Sequence, residues 1–118
     1  MNKLKAKQEC LKRLFNKAGW EVTTRIVGSV VEVKLQKNKR DEHMSLRGRI
    51  PFGHDHKKTA YEQLVRGAKS QEHELRPAIE TATLRDLLGP FKRGSYWEGV
   101  AHEALATIKK DVLGTPLF

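Results

Sequence analysis

Residues 20–36 read Trp20-Glu21-Val22-Thr23-Thr24-Arg25-Ile26-Val27-Gly28-Ser29-Val30-Val31-Glu32-Val33-Lys34-Leu35-Gln36, and their alternation decides the fold. Trp20, Val22, Thr24 and Ile26 share one side of an extended chain, with Glu21, Thr23 and Arg25 on the other. Gly28-Ser29 supplies a tight turn, and Val31, Val33 and Leu35 then alternate with Glu32, Lys34 and Gln36. The polar stretch from Lys37 to Glu42 is a second turn. Beyond it Met44, Leu46 and Ile50 alternate with His43, Ser45, Arg47 and Arg49 until Pro51 closes a third strand. Three successive strands with short turns make an antiparallel meander, and its apolar face has to be covered by helices.

Those helices flank the meander. From Asn2 to Ala18, Leu4, Leu11, Leu14, Phe15 and Ala18 recur at helical steps until Gly19. A second helix spans about Lys57 to Lys69, with Ala60, Tyr61, Leu64, Val65 and Ala68 on one stripe and Asp55 or Thr59 as its cap. Gln71 to Glu74 reads as a polar connector. A third helix starts near Pro77 and runs through Ile79, Ala82, Leu84, Leu87 and Leu88 to a Gly89-Pro90 stop. Ser95-Tyr96-Trp97-Glu98 has capping-box spacing and opens a fourth, whose wide stripe runs from Trp97 to Val112. The expected fold class is therefore α+β: helix, three-stranded antiparallel sheet, helix, then a C-terminal two-helix extension. Residues 1–70 form a basic core. Residues 71–118 form a helical hairpin that packs on it as one compact unit, or that forms a dimer or partner interface through Tyr96, Trp97, Leu105 and Ile108.

A chain of 118 residues suits one domain. It holds no apolar run of the roughly 20 residues that span a bilayer, and its basic start leads into no signal-peptide core. Membrane partners are thus excluded at this level. Cys10 is the single cysteine, which rules out an internal disulfide and fits a cytoplasmic chain.

The net charge of +9 is lopsided: residues 1–58 carry 15 Lys+Arg and 6 Asp+Glu, residues 59–118 carry 8 of each. An excess confined to one half points to a polyanion partner. Alternation places Arg25, Lys34, His43, Arg47 and Arg49 on the water side of the sheet, with Glu21 and Glu32 as the acids there. Lys37, Lys39 and Arg40 crowd the second turn, and Lys57 and Lys58 open the second helix. These nine cations (Arg25, Lys34, Lys37, Lys39, Arg40, Arg47, Arg49, Lys57, Lys58) are the candidate phosphate contacts.

The order of elements over residues 3–69, with Gly48-Arg49-Ile50-Pro51-Phe52-Gly53 followed by Lys57-Lys58-Thr59-Ala60, resembles the double-stranded-RNA-binding domain. The resemblance implies that Lys57 and Lys58 clamp phosphates across a groove. It also implies that Lys5, Gln8 and Lys12 on the first helix approach a minor groove. Helix-flanked three-stranded sheets in other families read DNA with the sheet itself, which would use Arg25, Lys34, Arg47 and Arg49.

Catalytic signals are sparse. Glu32-Val33-Lys34 has the Glu-x-Lys form of restriction-type nucleases, in which two carboxylates hold Mg²⁺ and a lysine helps activate water. Glu21 is the sole acid in residues 20–31 that could be the second carboxylate. His54-Asp55-His56 reads as a helix-opening loop rather than a zinc site, since no cysteine pair or paired helical histidines accompany it. Phosphate-binding glycine loops and the zinc-protease motif are absent from the sequence. The sequence calls for no cofactor and no metal. It favours a small non-enzymatic nucleic-acid-binding protein, for RNA or DNA. The alternatives are an interaction module, such as a phage or mobile-element inhibitor or assembly factor, docking on an acidic protein or nucleoprotein, and a divergent Mg²⁺-dependent nuclease using Glu32 and Lys34; a homodimer would present two basic faces together.

Overall fold

The computed structural model describes residues 3–37, 43–83, 87 and 96–114. Helix α1 (Lys3–Lys17) leads into strands β1 (Trp20–Val27), β2 (Val30–Lys37) and β3 (His43–Arg49). Helices α2 (His56–Ser70), α3 (Glu72–Glu80) and α4 (Tyr96–Ile108) follow, and α4 runs on as a π-helical turn over Lys109–Leu113. The α+β class and the element order are those the sequence predicts.

The sheet has the order β1-β2-β3, antiparallel throughout. Its register sets Thr24 opposite Val33 and Val33 opposite Leu46. Side chains of one strand face therefore line up as Val31, Val33, Leu35, Met44 and Leu46 beneath the helices. Helix α1 contributes Leu11, Leu14 and Phe15, and α2 contributes Ala60, Tyr61 and Leu64, all buried. Each large apolar side chain so enclosed stabilises the fold by about 1.5–3 kcal/mol. Gly67 is what lets α2 lie this close: a Cβ there would stand 2.8 Å from Leu35 Cδ1 and 3.0 Å from Leu46 Cδ1.

The C-terminal segment belongs to the same core. Leu75, Ile79, Leu87, Ala104, Ile108 and Val112 join the cluster built by α1, β2 and α2. Helix α4 packs chiefly on α1, and the π-helical turn reaches α2 and α3. Tyr61 on α2 donates its hydroxyl to Asp111 Oδ2 at 2.8 Å, which ties that turn to α2. Burial and the neighbouring carboxylate both push the Tyr61 phenol far above its ordinary value. Cys10 is buried beside it, and burial pushes its thiol up to about 12. An inert core thiol, rather than a nucleophile, is the consequence.

Two sequence expectations need correction. Gln71 to Glu74 is not a connector: α3 begins at Glu72, so Pro77 lies inside the helix rather than in its first turn. Glu72 and Glu74 occupy the first turn, where acidic side chains suit the helix dipole. Buried Leu75, Ala78 and Ile79 hold the segment in place despite the proline. Nor does this helix continue to Leu88. It stops at Glu80, where the Thr81 N–H and hydroxyl both turn back to the Pro77 carbonyl, and residues 82–83 are not helical. Residues 84–86 and 88–95 lie outside the described residues.

Candidate nucleic-acid interface

The uncovered side of the sheet is a ladder of cross-strand rows. Val27, Val30 and Arg49 form one row, followed by Arg25, Glu32 and Arg47, then Thr23, Lys34 and Ser45, then Glu21, Gln36 and His43. Arg25, Lys34, Arg47 and Arg49 are all exposed, so period-2 alternation has placed cations from three strands on one face. Two shallow depressions mark it. One, of about 330 Å³, is lined by Arg25, Val27, Val30, Glu32 and Arg47. The other, of about 390 Å³, includes Glu21, Thr23, Lys34 and His43.

This face is not uniformly positive. Glu32 sits at its centre, with Arg47 Nε donating to Oε2 at 2.5 Å and Lys34 Nζ at 3.7 Å from Oε1. The Arg47 hydrogen bond holds the Glu32 carboxyl below the usual carboxylate range, with the charges of Arg47, Lys34 and Arg25 adding to it and burial opposing. Glu32 therefore stays ionised and holds the Arg47 guanidinium of its row in place.

Lys37 belongs elsewhere. It falls on the helix-facing side of β2, where its ammonium lies 5.2 Å from the centre of the Trp20 ring. It donates to Glu74 Oε2 at 2.5 Å and to the Ala18 carbonyl at 3.3 Å. Its side chain is 16% exposed, so this cation, placed by the sequence among the phosphate contacts, is occupied inside the fold. The same Glu74 oxygen accepts the Trp20 indole N–H at 3.2 Å. The Lys37 bond holds the Glu74 carboxyl below its ordinary value, with the Trp20 bond in support. Lys39 and Arg40 lie outside the described residues.

At the opposite end of the sheet, residues 50–55 carry the chain from Arg49 to α2. The Ile50 N–H donates to the Ser29 carbonyl at 2.7 Å, which fastens this loop to the β1–β2 turn. Asp55 caps α2 by accepting the Lys57 N–H at 2.8 Å, as the sequence suggests. Lys58 is exposed and Lys57 half-buried. Between them and Arg49, the His54 N–H closes a turn onto the Pro51 carbonyl at 2.9 Å, with Gly53 at φ 79°. The side chain of Phe52, at the corner of that turn, is wholly in solvent.

Many α1 cations have work of their own. Lys3 pairs with Glu103, Lys12 with Glu9, and Lys7 lies 4.9 Å from the centre of the Tyr61 ring. The half-chain excess is thus divided between the sheet face with the α2 start and the solvent side of α1. Of the expected interface residues, Ile108 is fully enclosed in the core and Leu105 packs against it. Val100, Ala101, Ala104 and Val112 are buried as well, so these positions of the α4 stripe pack within the chain. Tyr96 is exposed, and the Trp97 side chain lies outside what is described.

Glu32 and Lys34 do share a face, as a Glu-x-Lys centre requires. Glu21, however, stands two rows away, roughly 13 Å along β1 from the Glu32 row. Among the described residues no three His, Cys, Asp or Glu side chains are grouped to hold a metal ion. No described helix is long and apolar enough to cross a membrane. Comparison of the chain with protein-family models, with curated proteins and with solved structures gives no match.

Proposed function

We propose that this protein binds nucleic acid through the open face of its sheet and the adjoining start of α2. The observation that carries the reading is the convergence of Arg25, Lys34, Arg47 and Arg49 from three strands on one uncovered face. The same loop that leaves Arg49 delivers Lys57 and Lys58 at that end. Guanidinium groups, with their planar fork of donors, are suited to phosphate. The two-residue Gly28-Ser29 turn is too short to enter a groove as the corresponding loop of a double-stranded-RNA-binding domain does. The reading therefore keeps that family's element order and its lysine pair, and not its span across successive grooves.

The test is a salt-titrated anisotropy measurement on single- and double-stranded RNA and DNA. Binding of roughly micromolar affinity or tighter at low salt, falling steeply as salt rises, is expected from released counterions. Millimolar binding to all four forms would remove the reading.

A second reading is docking on an acidic protein or nucleoprotein. It is favoured by Glu32 standing among Arg25, Lys34 and Arg47, because a mixed charge pattern can be matched by a protein and not by a uniformly negative backbone. Retention of one stoichiometric protein from nuclease-treated lysate, lost in Arg47→Glu/Arg49→Glu, would support it.

A further inference from the structure

Phe52 has no structural occupation. The residue is 108% exposed, whereas aromatic side chains ordinarily bury most of their area. The turn that holds it needs a residue of positive φ at Gly53 and the Pro51–His54 bond, and neither depends on an aromatic at the corner. The ring is therefore presented, not packed. The turn around it is closed by its own hydrogen bond and fastened through Ile50 to the β1–β2 turn, so the ring is held on a braced loop.

Its surroundings define what it is presented to. Arg49 precedes it on β3, and no ion-pair partner competes for that guanidinium among the described residues. Lys57 and Lys58 follow it on α2. Ile26 and Val27, 48% and 55% exposed, lie at the same end of the sheet, and Val27 with Val30 gives the Arg25–Arg47 depression an apolar end. An exposed aromatic ring on a short loop that joins one cation to two others matches a ligand that carries flat apolar surfaces on a polyanionic backbone. We propose that Phe52 stacks on an unpaired base of a single-stranded nucleic acid whose phosphates lie on Arg49, Lys57 and Lys58. Wedging one ring between paired bases spends on unstacking what a single stack returns, so an already unpaired base is the favoured ligand.

This inference rests on the nucleic-acid reading above, and the experiment separates the two. Wild type, Phe52→Ala, Phe52→Trp and Lys57→Glu/Lys58→Glu are titrated with a labelled single-stranded oligonucleotide, its abasic counterpart and the duplex, with melting curves to confirm an unchanged fold. Phe52→Ala is expected to weaken single-strand binding roughly 5- to 150-fold, the loss of one stacked base, while leaving the salt slope as it was. Phe52→Trp restores affinity and adds an indole signal that bases quench and the abasic strand does not. Lys57→Glu/Lys58→Glu flattens the salt slope instead. If wild type binds and Phe52→Ala binds equally well, stacking is overturned and the nucleic-acid reading survives. Equal sensitivity to Phe52→Ala with the duplex overturns the unpaired-base ligand. If wild type binds none of the probes at low salt, both fall together.

Discussion

The two ends of the sheet use cationic side chains in opposite ways. At the end where β1 begins and β2 finishes, Lys37 is drawn under the helices, laid on Trp20 and bonded to Glu74, so its charge joins the sheet to α3. At the other end Arg49 and Lys58 extend into water beside an uncovered phenylalanine. The difference teaches that a count of basic residues is a poor measure of a binding surface. Position within the strand period decides whether a lysine is enclosed or left in water: Lys34 and Lys37 are three residues apart on one strand and so face opposite sides.

The largest effect that would break this contrast is on affinity. Arg49→Glu with Lys57→Glu and Lys58→Glu should lower nucleic-acid affinity roughly 100-fold at low salt and flatten the single-strand salt slope by about 2. Circular dichroism should show the fold intact. Next comes Glu74→Ala, which strands the Lys37 ammonium and the Trp20 indole at the other end. A loss of about 2 kcal/mol is expected, read as a lower urea midpoint, with affinity unchanged. Should Glu74→Ala weaken binding more than it weakens the fold, the division of labour between the two ends would be wrong.

Acid sharpens the same point. The Glu74 carboxyl is easier to ionise in the folded chain than its ordinary value of 4.5, so its contribution is complete above that pH. It is lost as the pH falls through the lower folded value. Urea midpoints measured from neutral pH downward should drop over that interval, and Glu74→Gln should flatten the drop. The smallest effect concerns Glu32. Glu32→Gln removes the acid bonded to Arg47 and should raise single-strand affinity about threefold, since one more positive charge on the face goes uncompensated. An unchanged or lower affinity would mean that orienting Arg47 outweighs neutralising it.

The sheet and its two covering helices were legible in the sequence because periods of 2 and 3.6 are local signals, punctuated here by Gly19, Gly28-Ser29 and Pro51. The water-facing cations of β1 and β3 came with that reading. Helix α3 did not, since Glu72, His73 and Glu74 open it without an apolar residue and Pro77 falls where a helix is usually thought to begin. The fate of Lys37 was equally hidden. Its partner lies 37 residues further along the chain, and no spacing rule links a strand end to a polar helix turn. Phe52 left only a faint trace: an aromatic between Pro51 and Gly53, in a turn whose geometry does not ask for one.

The hydrogen bond from Tyr61 to Asp111 bears on how this protein is made. Ile108 and Val112 complete a core begun by α1, so the basic half is synthesised before the residues that seal its interior. Until then α1 and α2 lack those neighbours, and the helical turn that arrives later is the fastener of this core.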